Sequence, residues 1–102
     1  MDKEQVVNIG FEIVAYSGDA RTKLLLALKD AKAGKFDEVD ALVEEAKGLL
    51  NDAHKSQFDL LSREAKGESA ELGFMVHAQD HLMTTMLLAD IINTLLDIYR
   101  TR

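Results

Sequence analysis

The chain has 102 residues, 47% of them hydrophobic, which supports one small domain (residues 1–102) with its own core and excludes a disordered tail. Its net charge is −6, with 12 basic side chains scattered among 18 acidic ones, and this excludes the basic footprint of a nucleic-acid binder. Without cysteine there is neither a disulfide framework nor a thiolate metal site, as suits a cytosolic protein.

The N-terminal MDKEQVVNIGFEIV is acidic and amphipathic, unlike a signal peptide. The apolar runs are interrupted by Thr, Asp and Asn short of a membrane span, so a soluble protein is expected. With no proline and little strand-like alternation, long helices are allowed. A lysine just ahead of Gly34 (Lys32) and of Gly67 (Lys66) reads as two glycine-capped helix ends, with Asp37 and Ser69 as the next N-caps. The pattern predicts an all-α, antiparallel, up-down-up bundle with helices over about 2–32, 37–66 and 69–101, each on the order of 45 Å long.

The first helix carries an apolar stripe through Val6, Ile9, Ile13, Tyr16, Ala20, Leu24 and Ala27. Gly10 and Gly18 lower its helix propensity, and a weak point is expected near Gly18 in one continuous helix. The second helix is amphipathic, with Val39, Leu42, Val43, Ala46, Leu49, Leu50, Ala53, Gln57, Leu60 and Leu61 along its stripe. The third differs. From Leu82 to Tyr99 it is apolar over most of its circumference, with only Gln79, Asp90, Asn93 and Asp97 forming a narrow polar stripe. A helix of that kind needs cover on more than one side, which predicts self-association through it; scattered exposed leucines are the plainer alternative.

At its head stands HAQDH, Histidine 77 to 81. His77 and His81 are one turn apart, Asp80 follows His77 by three residues, and Thr84 follows Asp80 by four. Asp80 falls on a heptad-like seam with Leu87, Ile91, Thr94 and Ile98, so copies packed along it would bring like carboxylates together. Such carboxylates must share protons, bind a cation or repel. Two histidines four apart also suit zinc, yet a metalloprotease needs Glu after the first histidine, where Ala78 stands. No glycine-rich phosphate loop or serine elbow is visible. A histidine nucleophile remains: neutral imidazole attacks phosphorus near neutral pH, and His81 and Thr84 would supply donors for the phosphoryl oxygens. The plainer alternative makes His77 a hydrogen-bonded histidine at a bundle end and His81 a surface one.

Three separated motifs decide between them. GFEIVAYSGDAR (10–21), AHKSQ (53–57) and VHAQDHLMTTMLL (76–88) together resemble the lactose/cellobiose family of enzyme IIA components of the bacterial phosphoenolpyruvate-dependent sugar phosphotransferase system. The resemblance runs over essentially the whole chain, in order and without large insertion. It implies a cytoplasmic homotrimer of three-helix subunits. It further implies a phosphocarrier that accepts a phosphoryl group from HPr on His77 and passes it to a cysteine of the IIB component. The IIC membrane permease would be an indirect partner, and it would choose among lactose, cellobiose and chitobiose-type disaccharides. Asp80 matches the aspartate that, from three chains, holds a divalent cation, typically magnesium. Gln79 and His81 stand as neighbours of the phosphoryl group. His54 is expected to be structural or groove-lining. Two rivals stay open: a non-catalytic helical oligomerisation module, and a transition-metal protein using His77 and His81.

Overall fold

The computed structural model describes the backbone of residues 3–65 and 72–101 and the side chains of 4–63 and 78–101. Three helices follow one another: α1 (Lys3–Lys32), α2 (Val39–Ala65) and α3 (Leu72–Arg100). They lie side by side in a bundle 52 Å long and 19 Å by 18 Å across, as the up-down-up arrangement requires. The cap at Gly67 and the start at Ser69 lie outside the described residues.

The cap at Gly34 forms as expected. Gly34 has φ of 77°, its N–H bonds the Ala31 carbonyl at 3.0 Å, and the Lys35 N–H reaches back to Asp30 at 2.8 Å. This pair of bonds is the Schellman arrangement, and the left-handed backbone it needs favours glycine. The start of α2 comes two residues later than expected. A turn closes first, with the Val39 N–H on the Phe36 carbonyl at 3.3 Å, and the Glu38 carbonyl then accepts the first helical bond, from Leu42 at 3.0 Å. Asp37 therefore sits inside that turn rather than at the cap.

Buried positions recur in alternating steps of four and three: 6, 10, 13, 17, 20, 24, 27 and 31 on α1; 39, 43, 46, 50, 53, 57 and 60 on α2; 78, 82, 85, 92 and 96 on α3, where half-buried Ala89 completes the series. That period is the knobs-into-holes seam of a left-handed bundle. Many of these residues are small, including Ala20, Ala27, Ala46, Ala53 and Ala78, so the helices approach closely. Buried Ser17 satisfies its hydroxyl on the Ile13 carbonyl at 2.5 Å. α1 runs unbroken past Gly18, where an added Cβ would meet nothing within 4 Å, so no backbone of another element among the described residues approaches there.

α3 packs mainly on α1 and only lightly on α2. It carries a second heptad stripe, Asp80, Thr84, Leu87, Ile91, Thr94 and Ile98, nearly opposite the first, and all six residues are exposed. Leu88 and Leu95, between the stripes, are half-buried. Two-faced patterning is thus the reason α3 reads as apolar all round. By length and composition 78–100 is apolar enough to cross a membrane, with mean hydropathy 1.3, which corrects the expectation that the apolar runs fall short. Only 22% of its most apolar window is buried. Asp80, Asp90 and Asp97 interrupt it at intervals of roughly two to three turns, and a charge at a bilayer centre costs roughly 2.5–3.5 kcal/mol or more.

Candidate functional site

The polar island divides over three faces of α3. Asp80 is exposed at the head of the uncovered seam. Thr84 is also exposed; its hydroxyl donates to the Asp80 carbonyl at 2.7 Å and accepts from Arg21 Nη2. His81 is half-buried on the flank facing α1, and its carbonyl accepts Thr85 Oγ1 at 2.6 Å and Arg21 Nη2 at 3.4 Å. Gln79 lies on the far side, toward α2. There Gln57 Nε2 donates to Gln79 Oε1 and lies 3.8 Å from Met83 Sδ.

His77 belongs to the backbone of α3, but its side chain lies outside the described residues. In register it precedes His81 by one turn and Thr84 by two. Gln79, two residues on, is rotated from it by roughly 200°. The structure therefore joins His81 and Thr84 on the face that His77 shares, and sets Gln79 on another.

Two residues of the site went unrecognised in the sequence. Arg21 crosses from α1, its Nε on Thr85 Oγ1 at 3.1 Å and its Nη2 on Thr84 and the His81 carbonyl. Gln57 is 9% exposed at a core position of α2. Its amide nitrogen faces two acceptors, the Gln79 oxygen and the Met83 sulfur, which fixes the orientation of both amides: Gln79 keeps its N–H groups for other partners. A lone glutamine in an apolar heptad stripe was the available signal.

Between α2 and α3 the light packing leaves an open groove of about 270 Å³, lined by Lys47, Leu50, Asn51, His54, Met86, Ala89 and Asp90. His54 is exposed and lines it, in keeping with its expected role. Among the described residues no three His, Asp or Glu side chains converge on a metal position within one chain. Asp80 offers one carboxylate per chain, so a cation there would need further copies to bring their own carboxylates.

A three-helix bundle with an exposed heptad stripe on α3, headed by an aspartate, defines a helical domain with a polar site at its edge. Comparison with known proteins gives it a family. The family described as "PTS system, Lactose/Cellobiose specific IIA subunit" matches residues 8–100, and the chain belongs to that family. The lactose-specific EIIA component of Staphylococcus epidermidis is 52% identical over 101 residues, covering 98% of this chain and 97% of that protein. The lactose-specific EIIA component of Lactococcus lactis is also 52% identical, over 98% and 96% of the two chains. Among solved structures, the cellobiose-specific enzyme IIA of Bacillus anthracis superposes with a TM-score of 0.85 at 37% identity, over 92% of this chain and 87% of that one. The IIA(chitobiose)–HPr complex of the Escherichia coli phosphotransferase system gives 0.76 at 31% identity, over 94% of each chain.

Proposed function

We propose that the chain is a phosphocarrier for disaccharide uptake, receiving a phosphoryl group from phosphorylated HPr on His77 and passing it to the cysteine of a IIB component. Family membership over 93 residues, including the whole of HAQDH, is the observation that carries this reading. The IIA(chitobiose)–HPr complex supports HPr as the donor.

In the first step a neutral imidazole nitrogen of His77 attacks phosphorus. The new P–N bond forms as the bond to the HPr leaving group breaks, and HPr keeps that electron pair. In the second step the IIB thiolate attacks, the P–N bond breaks, and imidazole leaves with the pair. Placement and charge stabilisation supply most of the catalysis in such transfers. Both partners must reach the same face, so they compete and bind transiently.

The uncovered seam supports a homotrimer built along α3, with Leu87, Ile91 and Ile98 buried between copies and three Asp80 carboxylates meeting at its head. A hard divalent cation, magnesium by the chemistry of the donor set, would be held by those carboxylates and would neutralise them. A cytoplasmic location, coupled through IIB to the IIC permease, completes the reading. It is tested by incubating the protein with phosphoenolpyruvate, enzyme I and HPr and measuring intact mass under mildly alkaline conditions, since phosphohistidine is acid-labile. An adduct of one phosphoryl group that disappears in His77→Ala is expected; no adduct, or one that survives the substitution, contradicts the assignment.

A further inference from the structure

Arg21 differs from the other arginines among the described residues: Arg63 and Arg100 each face a carboxylate within 4 Å, at Asp59 and Asp40 respectively. Arg21 is half-buried, and among the described residues its partners are neutral oxygens alone: Thr84 Oγ1, Thr85 Oγ1 and the His81 carbonyl. A guanidinium stays protonated in any protein environment, so its charge is left uncompensated at this place.

The place is telling. The three acceptors follow His77 by four, seven and eight residues, which puts them roughly 6–12 Å further along the helix axis. His81 and Thr84 share the register face of His77, whereas Gln79 is engaged by Gln57 on the other side. A phosphoryl group brings a charge of about −1.5 to −2 near neutral pH. The cation on the face where that charge would arrive is therefore Arg21.

We infer that Arg21 is a positioning residue for phosphoryl transfer: it pins the His81–Thr85 turn to α1 and places a fixed, unpaired positive charge on the His77 face, favouring the phosphorylated state. The inference rests on His77 being the carrier. At an effective dielectric constant of about 20, a unit charge roughly 12 Å away changes an equilibrium by about tenfold.

Two substitutions separate charge from stapling. Arg21→Gln keeps one amide donor at the place of Nε, facing Thr85, without the charge, and Arg21→Lys retains the charge without the fork. Each is equilibrated with a fixed ratio of phosphorylated to free HPr. The ratio of phosphorylated to free protein is read by alkaline intact mass, and helix melting and assembly mass are followed in parallel. The Gln variant should lower the phosphorylated ratio by about tenfold, with assembly unchanged and melting lowered no more than in the Lys variant. The Lys variant should stay within about threefold of the parent, carrying the same charge on a similar reach. An unchanged ratio in the Gln variant overturns the inference. So does a Lys variant that falls as far as the Gln variant, which would mean a staple and nothing more. A parent protein that takes up no phosphoryl group on His77 overturns the carrier reading itself, and that is seen before any variant is compared.

Discussion

Replacing Ile91 by aspartate tests the proposed trimer. Leu87, Ile91 and Ile98 are 62%, 44% and 55% exposed in the single chain, all on one heptad stripe. Full burial of such a side chain is worth about 1.5–3 kcal/mol, so covering the exposed fractions yields roughly 3–4 kcal/mol per chain and on the order of 11 kcal/mol for a trimer. Ile91→Asp removes one of those contributions from each chain. It also brings a carboxylate from each copy into an apolar interface, where an unpaired polar group costs several kcal/mol. The two losses together exceed the apolar gain. Since Ile91 points away from the bundle's own core, the fold of each chain should survive. Sedimentation equilibrium at micromolar concentration should give three times the 11.3 kDa chain mass for the parent and a single chain mass for the variant, with helix content unchanged. A parent that sediments as a monomer refutes the seam, as does a variant that remains trimeric.

Three further outcomes follow from the same geometry. Chelation of divalent cations should loosen the parent trimer, whereas Asp80→Leu should keep its trimer with or without chelator; loss of that trimer would mean that the cation is indispensable to assembly. Gln57→Ala removes a buried donor from Gln79 and leaves a void, at a cost of roughly 1–3 kcal/mol. Melting should then fall by roughly 4–8 °C per kcal/mol, and an unchanged midpoint would show that the amide pair contributes nothing.

Much of this architecture can be read from the residues. Gly34, two residues after Lys32, announces a cap that forms with a left-handed backbone, and the apolar periods of α1 and α2 mark the buried faces except at Leu61, which is 48% exposed. The excess hydrophobicity of α3 resolves into two stripes once one of them is seen to be covered. The start of α2 was misplaced because Asp37 has the chemistry of an N-cap, while the Phe36–Val39 turn moves the first helical bond to the Glu38 carbonyl. Arg21 was beyond sequence reasoning for a different reason. Its partners are 60–64 residues away, and nothing local tells a half-buried arginine from a solvated one. Gln57 was readable as an anomaly in its stripe, but its partner was not. The role proposed for His77 rests on the three-motif resemblance, since helical spacing alone favours a plain histidine over a phosphoryl acceptor or a zinc ligand.

The central claim, that the chain carries a phosphoryl group between two proteins on His77, is tested most directly by a chase. Protein phosphorylated through HPr and freed of it is mixed with unphosphorylated IIB, and both masses are followed under alkaline conditions. Loss of the adduct from this protein, matched by its appearance on the IIB cysteine, is expected. An adduct that stays in place, or that is released only as inorganic phosphate, would contradict the account.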